Sequence, residues 1–290
     1  MLIKVKKLIK GLVPLTANRQ LSKFDNLERK FEKIEAEQKK YFLEILCQQK
    51  KLIDSQKNLF NLELNLKRKV QELTWAIIFQ DTVKNSWLSS TNLSLGRWAI
   101  GYPFAYILFR TLEAQKPINI LELGLGESTK IVLSYKEHSL ENISHTIVEE
   151  SKDWLNFFSK NNKNIIKNSE LIQLDYEFCH FRNFDNIRVF KNFKEKLKGR
   201  KFDLICIDAP LGGDMKEICR VDILSIIPDS LADSFVILLD DFHRSAEKKL
   251  AELLFEKLDK HQISYVSGVY DGDKSVLLIA SPDLSYLSSL

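Results

Sequence analysis

From Leu15 to Leu95 the chain has no glycine and no proline. That absence removes the usual turn residues and leaves little but continuous helix for the stretch. Cysteine is also scarce: Cys47, Cys179, Cys206 and Cys219, with no Cys-x-x-Cys pair, a usage that fits reduced, structural thiols. No apolar run approaches the roughly 20 residues that span a bilayer, and residues 1–15 lack the apolar core and small-residue cleavage site of a secretory leader. No Gly-Lys-Ser/Thr occurs, so a P-loop is excluded. These absences set the expectation of a cytoplasmic protein.

The net charge of +4 hides an asymmetry. Residues 1–116 carry 21 Lys/Arg against 11 Asp/Glu, whereas the remainder carries 22 against 28. The second half is therefore mildly acidic and would repel a phosphate backbone, which argues against a nucleic-acid substrate.

Read in steps of three and four from Phe24, the seam is Phe24, Leu27, Phe31, Ile34, Gln38, Tyr41, Ile45, Gln48, Leu52, Ser55, Leu59, Leu62, Leu66, Lys69 and Leu73, apolar at 11 of 15 positions. The spacing predicts a helix over residues 17–74, about 75 Å long, with a stripe that needs a second helix. A homodimeric coiled coil satisfies it. So does a helix that folds back on its own domain or breaks near Gln48–Ser55. Ahead of it, residues 1–16 open with a basic amphipathic segment: Leu2, Val5, Leu8, Ile9 and Leu12 share one face, with Lys4, Lys6, Lys7 and Lys10 as its charge. Residues 1–12 are either a peripheral contact to the inner face of a membrane or a solvated helix start. Residues 75–115 form a bridge, with a helix expected over Trp98–Glu113 whose Trp98, Tyr102, Phe104 and Tyr106 belong to the core.

The densest signal lies at residues 118–129, Ile-Asn-Ile-Leu-Glu-Leu-Gly-Leu-Gly-Glu-Ser-Thr. An apolar strand ends in Gly124-Leu125-Gly126, and Ser128-Thr129 open a helix. A ligand can lie against bare backbone there and meet the free N–H groups of the helix start. Thr129 stands where the dinucleotide pattern Gly-x-Gly-x-x-Gly has its last glycine, which disfavours a pyrophosphate cofactor such as NAD. A second strand, Ser144–Glu150, closes on two carboxylates: Glu149, twenty-five residues after Gly124, is suited to ribose hydroxyls, and Glu150 reads as the first-turn acid of the next helix. Further strands end in Asp208-Ala-Pro and in Asp240-Asp241, and two apolar runs flank Asp271-Gly272-Asp273, a hairpin signal.

Glu122-x-Gly124-x-Gly126-x-Ser128 resembles motif I of the class I S-adenosylmethionine (SAM)-dependent methyltransferases, and Asp208-Ala-Pro resembles their motif IV. The resemblance covers roughly residues 95–285. It implies an α/β domain at 116–290 with a Rossmann-like seven-stranded sheet whose last strand inserts antiparallel. It also implies SAM held by Glu122, Gly124, Gly126, Ser128, Thr129, Glu149 and Asp208.

Asp208, Asp240 and Asp241 all sit at strand carboxyl ends, where open α/β sheets place their sites, and three hard oxygen ligands suit Mg²⁺. That set is similar to the metal-dependent catechol-type O-methyltransferases, but the lysine of that family falls on Leu211 here. A second pattern, Asp208-Ala-Pro-Leu-Gly212, then Arg220, then Asp241-Phe-His-Arg244-Ser-Ala-Glu247, resembles the glucuronoxylan 4-O-methyltransferase-type family. It implies Asp208 or Asp241 as base for a sugar hydroxyl, with His243 an alternative base, and Arg220 and Arg244 holding an acidic group. Arg244 and Glu247 could instead simply pair at i,i+3, and Arg220–Asp222 could be solvated. His138, His145, His180 and His261 form no ligand spacing, and Lys191–Lys201 is expected to be a solvated helix. The expected function is a SAM-dependent O-methyltransferase acting on a sugar hydroxyl of a surface glycan or its precursor. The alternatives are a methyltransferase for a small metabolite and an inactive scaffold that works through its coiled coil.

Overall fold

The computed structural model describes residues 15–162, 165–215 and 217–290. The basic segment at 1–12 lies outside the described residues. The chain divides into two units, Met1–Leu64 and Asn65–Leu290.

The described residues of the first unit, 15–64, lie on one helix, α1 (Leu15–Val83), which continues past residue 74 to the first cluster of turn-forming residues. Its seam is uncovered: Phe24 is 71% exposed, Phe31 65% and Leu52 61%. No helix among the described residues is long and apolar enough to cross a membrane.

In the second unit the helix acquires partners. Glu72 accepts from Tyr102 N at 2.7 Å and from Asp273 N at 2.9 Å, and Trp75 Nε1 donates to the Asp271 carbonyl at 2.9 Å. The bridge therefore starts earlier than residue 75. Gly272 is small for this reason: a Cβ there would lie 2.2 Å from Glu72 Oε2 and 2.7 Å from Pro103. Helix α2 (Tyr102–Gln115) carries Pro103 in its first turn, which the fixed φ of proline pre-sets. Trp98 precedes it in irregular backbone and is 89% exposed, contrary to the expectation of a core residue, whereas Phe104 and Tyr106 are buried.

The sheet follows as β1 (Asn119–Leu123), α3 (Glu127–His138), β2 (Ser144–Glu149), α4 (Lys152–Asn161), α5 (Ile165–Asn168) and β3 (Glu170–Gln173). A hairpin that the sequence reading missed, β4 (Tyr176–Phe181) and β5 (Phe184–Phe190), stands apart as its own two-stranded sheet. Then come α6 (Phe193–Lys196), β6 (Phe202–Ile207), β7 (Leu231–Leu239), α7 (Ser245–Lys260), β8 (Val266–Tyr270) and β9 (Val276–Ala280). The stretch expected as a solvated helix at 191–201 is only this one turn, and it buries Phe193 and Leu197.

The seven-stranded order is β3-β2-β1-β6-β7-β9-β8. Neighbours from β3 to β7 run parallel, and β9 lies antiparallel between β7 and β8. This is the Rossmann-like, seven-stranded α/β arrangement with an inserted antiparallel last strand that the sequence predicts. Alternation along the strands splits the core. Leu121, Leu123, Ile205, Ile207, Ile237 and Leu239 face Leu250, Leu254 and Leu258 of α7. Ile120, Leu204, Cys206, Val236 and Leu238 face Phe104, Leu108 and Leu112 of α2 and Ile131 of α3.

Candidate functional site

The order reverses between β1 and β6, since the chain winds outward from β1 to β3 and then returns to β6. A crevice opens at the carboxyl ends of such neighbours. Gly124 sits there at φ +101, a backbone region that disfavours side chains, and an added Cβ would press on Ala209 at 3.3 Å. A Cβ on Gly126 would meet nothing within 4 Å, so the turn is open on that side. Helix α3 starts immediately after it, and its first N–H groups have no intrahelical acceptor.

Glu149 ends β2 and holds the turn. Its Oε2 accepts from Leu125 N at 3.0 Å, and its Oε1 accepts from Glu150 N and Ser151 N at 3.0 Å each. A carboxylate offers about four acceptor sites. Three are in use, so room remains for one ligand hydroxyl rather than the two expected. Trp154 Nε1 donates to the Leu125 carbonyl at 2.7 Å and straps the same turn. Thr129 faces inward: it is fully buried, and its hydroxyl accepts from Gly126 N at 3.2 Å, which shapes the turn. Ser128 is nearly buried beside it. Glu122 shares the face of Ile120 and is also buried. Its Oε2 lies 2.7 Å from His145 Nε2, whose Nδ1 is 2.8 Å from Ser169 Oγ. Period-2 alternation thus places Glu122 on the Ile120 side of β1, where one of its oxygens meets His145, and makes His145 a satisfied structural histidine.

Across the crevice, Asp208, Asp240 and Asp241 place carboxylate oxygens within 4.8 Å of one another. The feature absent from the sequence reading is what joins them. Arg220 is 2% exposed, and its Nη2 donates to Asp208 Oδ1 and Asp241 Oδ2 at 3.0 Å each. Its Nη1 donates to the Asp240 carbonyl at 3.0 Å and its Nε to the Pro210 carbonyl at 3.4 Å. Arg220 is therefore spent inside the protein, is not solvated, and has no free fork for an acidic ligand. Arg244 Nη1 lies 2.8 Å from Asp241 Oδ2 and 3.4 Å from Glu247 Oε1, so its i,i+3 pairing is real and belongs to the same network. Lys274 reaches in from the β8–β9 turn, 3.6 Å from Asp241 Oδ1 and 3.7 Å from Asp240 Oδ2. Nothing in the local sequence marks this lysine. Arg220 and Asp241 both hold positive φ, a conformation that side chains adopt at a cost and that concentrates at working sites.

The network sorts the acids. Burial raises Asp208, with Arg220 pulling the other way. Burial and the neighbouring carboxylates push Asp240 to about 8, and neither of its oxygens has a hydrogen-bond partner. Asp241 is lowered, because Arg220, Lys274 and Arg244 outweigh its burial. Burial raises Glu247 and lowers His243, leaving a neutral imidazole with an unpartnered Nδ1. Of the three aspartates only Asp208 has an open edge, its side chain being 34% exposed.

A divalent cation does not fit this set with Arg220 in place. The guanidinium already bridges the oxygens of Asp208 and Asp241, and Lys274 stands over Asp240 and Asp241. The expected ligand triad is thus charge-neutralised by the chain's own cations.

The β4–β5 hairpin walls the crevice. Arg188 donates to the Leu211 carbonyl at 2.7 Å, pairs with Asp214, and lies 5.7 Å from the ring centres of both Tyr176 and Phe178. Burial and Glu149 push Tyr176 up to about 12, so it stays a neutral phenol. Phe178 and Leu211 are left exposed, at 60% and 53%.

No family model and no curated protein matches this chain. Solved structures similar to it include an O-methyltransferase from Bacillus cereus in complex with SAH, at 13% identity over 74% of this chain and 92% of that one, TM-score 0.43. A methyltransferase from Podospora anserina, bound to SAH, is 16% identical over 72% of this chain and 85% of that one, TM-score 0.43. A precorrin-6y C5,15-methyltransferase from Geobacter metallireducens is 15% identical over 66% of this chain and 94% of that one, TM-score 0.42. Likenesses this distant add nothing to the sheet order given above.

Proposed function

We propose that this chain is a SAM-dependent O-methyltransferase. The observation that carries the reading is the open Gly124–Gly126 turn, held by the Glu149 carboxylate, at the point where the sheet order reverses. The bound sulfonium would supply an activated methyl group. Gly124, Leu125 and Gly126 would present backbone to it, and the remaining acceptor site of Glu149 would take a ribose hydroxyl.

The chain's part in the reaction is alignment and proton removal. A hydroxyl of the acceptor lies against Asp208 and gives its proton to that carboxylate as its oxygen takes the methyl. Arg220 holds Asp208 in place. Asp241 stays ionised and anchors Arg220 and Arg244. His243, neutral and half-buried, is the alternative acceptor of the proton. The lysine absent at Leu211 and the cations around the triad favour a metal-free reaction.

The acceptor proposed is a sugar hydroxyl of a glycan or its precursor, with Tyr176, Phe178 and Leu211 offering apolar faces to a ring and Arg244, one-third exposed, facing any acidic substituent. The N-terminal helix would dock the enzyme to another helix.

The test is calorimetric titration with S-adenosylhomocysteine and, separately, NAD, beside a Gly126→Arg control. Micromolar binding of the first alone, abolished in the control, supports the reading. No binding of either overturns it.

A further inference from the structure

The exposed face of α1 is patterned in its charges as well as in its apolar seam. Over Phe24–Leu62, one row of the seam is Phe24, Phe31, Gln38, Ile45, Leu52 and Leu59; the other is Leu27, Ile34, Tyr41, Gln48, Ser55 and Leu62. In heptad terms these are the a and d positions. The flanking g positions carry Lys23, Lys30, Glu37, Glu44, Lys51 and Asn58, and the flanking e positions carry Glu28, Glu35, Phe42, Gln49, Gln56 and Glu63.

We propose that α1 pairs with α1 of a second copy of this chain as a parallel, in-register coiled coil. In that arrangement each g position meets the e position five residues later on the other helix. Lys23 then faces the second copy's Glu28, and Lys30 faces its Glu35. The later g positions meet Phe42, Gln49, Gln56 and, from Asn58, Glu63, so no like charges meet. An antiparallel pair sets e against e. The charged e positions here are Glu28, Glu35 and Glu63, all acidic, so every charged e–e contact would be repulsive.

The polar layers point the same way. Gln38 and Gln48 occupy different rows, and in a parallel register each meets its own twin, whose amide offers both a donor and an acceptor. An isolated Gln against an apolar residue would lose that exchange. A single polar layer of this kind selects register at some cost in stability. The sequence thus describes its own partner. This inference stands apart from the cofactor reading, because the seam residues it is argued from belong neither to the Gly124–Gly126 turn nor to the acid network around Arg220.

The test uses the full chain with Cys47→Ser, to which Ile34→Cys is added. Position 34 lies well away from the middle of the seam, so only a parallel, in-register pair brings two copies of it face to face. A disulfide needs Cα atoms within about 7 Å. Mild oxidation is expected to give a covalent dimer from Ile34→Cys and none from the Cys47→Ser parent. Sedimentation of the parent is expected to show a dimer at micromolar concentration, and Leu52→Lys, in mid-seam, is expected to weaken it at least tenfold. Lys30→Glu and Glu35→Lys should each weaken dimerisation several-fold, while the double exchange restores it. A monomer, or a dimer that Ile34→Cys fails to cross-link, overturns the proposal. Titration with S-adenosylhomocysteine is read separately on the same proteins, so loss of one result is distinguishable from loss of the other.

Discussion

Arg220 Nη2 lies 3.0 Å from Asp208 Oδ1 and 3.0 Å from Asp241 Oδ2, one nitrogen bridging the ends of two neighbouring strands. The bridge makes the two aspartates chemically unequal. Asp241 is buried, with Arg244 and Lys274 also upon it, and stays ionised. Asp208 keeps an open edge and a raised pKa, the pairing a proton acceptor requires.

Replacing Arg220 should therefore cost stability and activity together. Arg220→Met leaves Asp208 without its ion-pair partner and leaves Asp241 and Glu247 with only the less buried Arg244 and Lys274, and breaking a buried pair costs about 3–5 kcal/mol. Arg220→Lys restores the charge but not the fork, since four donor contacts come from three different nitrogens. Urea unfolding should rank wild type above Arg220→Lys above Arg220→Met. Equal stability of all three would show that the bridge is dispensable.

Asp208→Asn removes the proton acceptor and keeps the shape. It should lower kcat by about 100-fold or more while leaving the affinity for S-adenosylhomocysteine nearly unchanged. His243→Ala separates the alternatives. If Asp208 is the base, this variant keeps most of its turnover and the same rise of kcat with pH. That rise should fall above the ordinary carboxylate range, because the Asp208 pKa is raised. A variant Asp208→Asn with wild-type turnover would reassign the base.

The parts of this molecule that were legible beforehand are those where chemistry and local pattern coincide. Gly124 and Gly126 follow an apolar run, and Glu149, Asp208, Asp240 and Asp241 each end one, so a strand and its functional terminus announce each other. What stayed hidden depends on contacts between distant segments. In sequence Arg220 reads as a cation for an acidic ligand, or with Asp222 as part of a solvated loop, yet both are buried. Arg220, at positive φ, reaches the strand ends from a loop twelve residues after Asp208. Lys274 arrives from a hairpin turn. The β4–β5 pair alternates aromatic residues with Glu177, His180, Asp185 and Asn186 on exposed faces, too polar a pattern to mark a strand. Glu122 matches the motif in sequence, but strand alternation commits it to His145.

Glu149→Ala should weaken the cofactor's hold together with the turn that presents it. It frees Leu125 N, Glu150 N and Ser151 N at once and removes the remaining acceptor site. Hydrogen bonds to a charged group contribute roughly 1.5–3 kcal/mol each, so affinity for S-adenosylhomocysteine should fall by about 10- to 100-fold. Glu149→Gln keeps one oxygen and should recover part of that loss. Calorimetric titration of both variants checks the order, and unchanged binding in Glu149→Ala would place the ribose elsewhere.

Asp222 gives a pH signature independent of catalysis. It is buried, its Oδ1 accepts from Phe190 N at 2.6 Å, and its Oδ2 has no partner. Burial lifts its pKa from 3.8 to about 7. Between those values the folded protein holds a proton that the unfolded chain has released. Stability from this group is thus fully present below the unfolded pKa and is lost as pH rises toward 7. Asp222→Asn retains an oxygen for Phe190 N and cannot ionise. Its stability relative to wild type should climb from pH 4 to pH 7, by up to about 1.4 kcal/mol per pH unit, and level off above that. Urea midpoints at pH 4, 5.5, 7 and 8 measure the difference. A constant offset between the two proteins would mean that Asp222 is ionised in the fold throughout.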